Sequence, residues 1–317
     1  MEKRFDVLVV GYSGYDLAIG PVPQNIMDMD SGIAPNRIIT VGGDGINAAT
    51  SFAHLGCKTA IATVVGCDMF AKTVMQHFAD HNIATDYVTE LADTPTALTL
   101  LLIGEDGERH CLIRDGARTK LEPWMIPDEA LQQSRHVHYA SFYPMVEMDK
   151  GAEAFFRRAK ELGLSTSMDA VTPRGEDHMR YLGPTLKYID VFMPSFDDAV
   201  KMFGTDDLQE MKAKAQPYGM KFFGVKLGAK GLFMTDFERD VFVPTMCKGT
   251  VVDTTGAGDS CAAGAAVAFL KGGDIEACAA AGCANAAHII QSFGATTGCT
   301  TYENVAALAK EFGYDIP

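Results

Sequence analysis

Asp253-Thr-Thr-Gly-Ala-Gly-Asp259, running on into Ser260-Cys-Ala-Ala-Gly-Ala-Ala-Val-Ala-Phe-Leu270, is the most informative stretch of this 317-residue chain. A short β-like run at 250–252 feeds a glycine turn, and a long helix is expected to open at about Gly258. The first turn of a helix carries free N–H groups and the positive end of its dipole. Gly256 and Gly258 have no Cβ to keep an anion away, so the amides of Gly256, Ala257 and Gly258 can cradle a phosphate or charge developing on one. Asp259 lies in that first turn, where the dipole favours its ionised form, and a carboxylate there can take a proton from an alcohol held beside it. A base next to backbone donors is what phosphoryl transfer needs. The plainer reading is a tight glycine turn with a capping acid. Asp253, Thr254 and Thr255 upstream weigh against it.

Outward from this segment, apolar β-branched runs alternate with helical patterns. Strands are expected at 5–10, 59–65, 137–140, 165–168, 191–193, 222–226 and 232–235, with helices at 46–55, 69–81, 150–162, 196–203 and 208–216. Such alternation implies crossovers and an α/β fold with a mostly parallel sheet covered on both faces. The last third instead reads as consecutive Ala-rich helices at 258–270, 275–291 and 302–312. Two regions break the rhythm: a Pro-, Met- and Asp-rich stretch at 21–36, and the runs 97–103 and 109–113 around the hairpin signal Gly104-Glu-Asp-Gly107. With 17–19 and 38–41 they are expected to form a small β-sheet over the main one.

Charge narrows the partners. A formal net charge of -14 repels nucleic-acid backbones and anionic lipid, so neither is expected as a partner. The apolar run near the amino terminus is too short for a signal peptide, and 261–270 spans about half of the ~20 residues a membrane helix needs. Eight cysteines without a CxxC pair point to reduced thiols and a cytoplasmic protein. Gly43-Asp-Gly45-Ile-Asn-Ala48 matches a dinucleotide fingerprint, but it does not follow the first strand, and Asp44 would repel a pyrophosphate. His54, His136, His138 and His288 show no metal-ligand spacing.

With these residues in hand, the whole chain resembles the ribokinase (PfkB-type) family of carbohydrate and nucleoside kinases. Five landmarks occur in order: Gly11-Tyr-Ser-Gly-Tyr-Asp16, Gly42-Gly43-Asp-Gly-Ile-Asn47, Val225-Lys-Leu-Gly228-Ala-Lys-Gly231, the 253–259 segment, and Ala284-Asn285. The resemblance implies one kinase domain over 1–317, a three-layer α/β/α sandwich, and a lid formed by about 12–41 and 95–115. It implies that Asp16, Gly43 and Asn47 hold a polyol and that Asp259 is the catalytic base. Gly228 and Gly231, with Lys226 and Lys230 in the same loop, would meet ATP, as would Ser195 and Asn285. Mg²⁺ would be held through water by Asp198, and a monovalent cation such as K⁺ by Asp253 and Thr255. Pairing of lids would give a homodimer.

The chain departs from the family pattern in places. Ser195-Phe-Asp-Asp198 stands where the family has Asn-x-x-Glu, and Lys226 replaces the first Thr of the nucleotide loop. Asp169-Ala-Val-Thr-Pro-Arg174 keeps only half of Asp-Pro-Asn-x-Arg. Arg114 falls near a position where some sugar-acid and hexose kinases of the family carry Arg, and the resemblance implies that it reaches a substrate carboxylate or phosphate. The expected activity is therefore ATP-dependent phosphorylation of a hydroxyl on a sugar or sugar-derived molecule. A nucleoside kinase and a non-catalytic sugar- or nucleotide-binding protein are the alternatives.

Overall fold

The computed structural model describes residues 3–104, 109–172 and 177–317. In chain order, β1 (Phe5–Val10), β2 (Gly14–Val22) and β3 (Asn36–Gly42) lead to α1 (Asp44–His54). Next come β4 (Thr59–Gly66), α2 (Met69–Asp80), β5 (Ala84–Leu91), β6 (Ala97–Gly104) and β7 (Arg109–Arg114). The middle third holds α3 (Asp128–Gln132), β8 (Ser134–Phe142), α4 (Val146–Glu161), β9 (Ser165–Ala170), α5 (Met179–Leu186), β10 (Val191–Phe192), α6 (Phe196–Phe203) and α7 (Leu208–Ala215). The chain closes with β11 (Phe222–Lys226), β12 (Leu232–Thr235), β13 (Asp240–Val243), α8 (Ala257–Leu270), α9 (Ile275–Ile289) and α10 (Tyr302–Glu311).

Nine strands form the main sheet in the order β13-β12-β11-β10-β9-β8-β1-β4-β5. All pairings from β11 to β5 are parallel, and β12 and β13 add an antiparallel edge. Alternation along β1 explains the three layers. Over 7–10, Val7 and Val9 enter a core shared with α1, α2, α8, α9 and α10, while Leu8 and Val10 enter one shared with α4 to α7. The α8–α9 contact is close because Gly and Ala allow it: a Cβ on Gly264 would lie 2.6 Å from the Ala281 carbonyl.

The expected strands and helices form, and the three-layer fold with them. The structure adds β5, β13, α3 and α5, which the pattern reading missed. β5 and β13 are edge strands carrying alternate polar residues, and α5 contains Pro184, a helix-breaking signal.

The second sheet has the order β3-β2-β6-β7. β2 pairs antiparallel with β3 but parallel with β6, so it is not a simple meander. β6 and β7 form the expected antiparallel pair, and turn residues 105–107 lie outside the described residues. Only Gly11–Ser13 separate β1 from β2, so the chain passes between the sheets at one corner.

Candidate active site

That corner is where the sheet order reverses. β1 sits between β4, reached early, and β8, reached after the excursion through the second sheet. In open α/β sheets the crevice at such a point, beyond the carboxyl ends of the strands, is where ligands bind. Gly11 lets β1 exit directly against α1, since a Cβ there would lie 2.5 Å from Gly45 Cα. The Gly45 N–H donates to the Tyr12 carbonyl at 3.1 Å and fixes the two turns together.

The opposite wall is the mouth of α8. Gly256 adopts φ 77°, the left-handed region that glycine tolerates, and a Cβ on it would overlap the Ala295 carbonyl. The Ala257 N–H donates to the Thr254 carbonyl at 3.2 Å and closes the turn. Among the described residues, the N–H groups of Gly258 and Asp259 meet no acceptor in the protein. Asp253 braces this loop, accepting from the Thr255 amide (3.0 Å), the Thr255 hydroxyl (2.7 Å) and the Gly294 amide (3.1 Å).

Asp259 Oδ2 accepts from Asn47 Nδ2 at 2.8 Å, joining α8 to the first turns of α1. Asn47 is itself buried, and its Oδ1 has no partner among the described residues. Asp44, at the start of α1, accepts from Ser141 Oγ at 2.8 Å at the end of β8. Asp169, at the end of β9, forms an ion pair with Lys226, the last residue of β11. Asp16 projects from β2 over Gly42, so that a Cβ on Gly42 would overlap its carboxylate.

Burial raises Asp44 to about 6, with Asp169 adding to the rise and Ser141 opposing it. Burial also lifts Asp259 well above the usual carboxylate range, and Asp44 and Asp169 push it further, against the opposing pull of Asn47 and Lys226. Burial and the two neighbouring carboxylates therefore work against the ionised form that the helix dipole, Asn47 and Lys226 favour. Burial pulls Lys226 down, but the Asp169 carboxylate more than offsets it and leaves the ammonium above its ordinary value.

Beside this acidic floor opens a cavity of about 430 Å³. Its near end is Thr254, Ala257, Gly258, Lys226, Ser195, Gly228 and Gly231, and its far end is apolar, with Val251, Cys283, Ala286, Ala287 and Ile290. A polar mouth with an apolar recess suits a nucleotide.

A model of the pfkB family carbohydrate kinases matches residues 5–301. The chain belongs to that family. A ribokinase of Arabidopsis thaliana, solved with ribose and ATP, superposes with a TM-score of 0.84 at 25% identity, covering 98% of this chain and 99% of that one. A sugar kinase of Archaeoglobus fulgidus is 29% identical over 77% of this chain and 96% of its own length. A nucleoside kinase of Methanothermobacter thermautotrophicus is 24% identical over the full length of both.

Several residues of this carbohydrate kinase lie elsewhere than the sequence suggested. Asn285 does not face the cavity: it is buried and donates to Ser51 Oγ (2.9 Å) and the Ser260 carbonyl (2.8 Å). Helical phase is the reason, since Cys283, Ala286, Ala287 and Ile290 occupy the i, i+3, i+4, i+7 stripe that lines the cavity. Lys230 is exposed and outside the cavity lining. Arg114 pairs with Leu98 in the row of Tyr15, so strand alternation puts it on the face opposite Asp16. Ala257 contributes no open amide, because its N–H closes the turn. Asp253 and Thr255 are bonded to each other, and Asp253 also accepts from the Gly294 amide, which braces the loop.

Ser195 caps α6 and donates to Asp198 Oδ2 at 2.5 Å, holding that buried carboxylate in place. His136 contacts the hydroxyls of Ser165 and Ser167, and no group of His, Cys, Asp or Glu among the described residues is arranged to hold a metal. Among the described residues, Arg118 is an arginine that approaches the site. It is 5% exposed, paired with Asp115, and lies over the Tyr12 ring at 5.2 Å. It belongs to a short 3-10 turn with no periodic signature, so the sequence offered no signal for it.

Proposed function

We propose that the protein transfers the terminal phosphoryl group of ATP to a primary hydroxyl of a sugar or sugar-derived polyol, with Asp259 as general base. One observation carries this reading: Asp259 and the open amides of Gly258 and Asp259 lie at the boundary between the acidic floor and the cavity. Asp16, Gly43 and Asn47 border the acceptor side, where hydroxyls find carboxylate and amide partners. When bound, the nucleotide supplies the phosphoryl group. Thr254, Lys226, Gly228, Gly231 and Ser195 would hold its polar part, with the apolar stripe of α9 against its base. Asp198, oriented by Ser195, would serve Mg²⁺ through water. Asp259 accepts the hydroxyl proton, and the helix-mouth amides stabilise charge on the moving group.

A nucleoside acceptor is less well supported, because the aromatic rings near the site are engaged. Tyr12 lies under Arg118, and Tyr15 packs on Phe70 with centroids 4.6 Å apart. A purely binding role gives no reason for a carboxylate beside unpaired amides. The second sheet would act as a lid over the acceptor, excluding water that competes for the phosphoryl group. Its exposed Ile39 and Leu112, on the face opposite Asp16, would pair with a second copy in a homodimer. Free thiols suit a cytoplasmic setting. The test is an ATP-consumption screen across pentoses, ketohexoses, sugar acids and nucleosides, with Asp259→Asn as the blank. Equal consumption by enzyme and blank on every acceptor sinks the proposal.

A further inference from the structure

We propose that Lys226 is a catalytic residue, a fixed cation that contacts the migrating phosphoryl group where the family pattern places a threonine. This rests on the kinase reading above and adds a residue to its machinery. Lys226 ends β11 with a side chain only 13% exposed. Its Nζ lies 3.2 Å from where a Cβ on Gly258 would be, and so at the mouth of α8. It also lines the nucleotide cavity beside Thr254 and Ala257.

The charge pattern says what the ammonium is for. Asp44, Asp169 and Asp259 face one another at the floor, and a polyphosphate entering beside them meets strong repulsion. Among the described residues, Lys226 is the cation that lies between that floor and the cavity. A buried ion pair adds little net stability by itself, so pairing with Asp169 is a weak reason to bury a lysine here. Asp169 instead keeps the ammonium aimed and protonated.

In the transfer, the acceptor oxygen forms a bond to the terminal phosphorus as the bond from that phosphorus to the bridging oxygen of ATP breaks. The broken bond's electron pair leaves with ADP, and the hydroxyl proton passes to Asp259. Lys226 keeps its three protons throughout and offsets the charge carried by the phosphoryl oxygens.

The experiment compares wild type, Lys226→Met and Lys226→Met/Asp169→Asn. Calorimetry with ADP and with a non-hydrolysable ATP analogue needs no acceptor. The expected result is a loss of roughly tenfold or more in affinity for the ATP analogue with little change for ADP. Turnover should fall by about 10²-fold, and the double variant should not recover it. Lys226→Arg, which keeps the charge if methionine disturbs folding, should retain the preference for the ATP analogue. Equal weakening of both nucleotides, or recovery in the double variant, means that Lys226 only neutralises Asp169 and overturns the proposal. If wild type phosphorylates no acceptor, the kinase reading falls, while the nucleotide comparison still judges Lys226.

Discussion

At the nucleotide end of the cleft, the walls are almost uncharged: backbone amides, alanines, valine, cysteine and isoleucine, with Lys226 at the inner edge. At the acceptor end, Asp16, Asp44 and Asp259 crowd around Tyr12 and Arg118. The apolar recess can be built from one helix stripe and one loop. The acidic floor needs pieces from β2, α1, β9 and α8, brought together only by the fold. On the proposed function, one end would set affinity through shape and the other would set chemistry through electrostatics.

Changes on the acidic side should act on turnover. Asp259→Asn is expected to lower kcat by ~10²–10⁴ while ATP affinity, read by calorimetry, stays near wild type. On the apolar side, Ala286→Phe should fill the recess and raise the KM for ATP roughly tenfold, about 1.4 kcal/mol, with kcat little altered. Steady-state kinetics showing the reverse split for either variant would break the division.

Asp44→Asn sharpens the electrostatic half. It removes the negative charge that most raises Asp259, so the acid limb of kcat/KM should move to lower pH, a gain of less than about tenfold at acid pH. Asp44 itself keeps its proton up to about 6 in the folded state, against ~3.9 when unfolded. Its burial is therefore least costly below the unfolded value and becomes a penalty as pH rises through about 6. Thermal melts should show Asp44→Asn gaining on wild type across that window. The smallest kinetic effect belongs to Asn285→Ala, which should leave both KM values unchanged but cost about 1–3 kcal/mol in urea unfolding by stripping two buried partners.

The same division explains what could be read from the chain. The helix mouth was legible because its loop, glycines and acid are contiguous from Asp253 to Asp259. The strands of the sheet interior were legible because burial on both faces demands unbroken apolar runs. β5 and β13 were not, since an edge strand tolerates polar residues that break the run. Asp44, Asp169 and Lys226 each sat in a segment that had been noticed, yet nothing local says that three strand or helix ends meet. Asn285 was misplaced by one step of helical phase, an error of about 100° that only the packing of α9 on α8 resolves.

The Asn47–Asp259 hydrogen bond bears on the enzyme at rest. An amide that already occupies the carboxylate would work as a safety catch. A passing water would find the base engaged. An alcohol anchored by the second sheet can trade places with that amide. In such a design the thrift of the enzyme toward its nucleotide lies in one buried asparagine, and Asn47→Ala should reveal it as acceptor-independent ATP hydrolysis above the wild-type level.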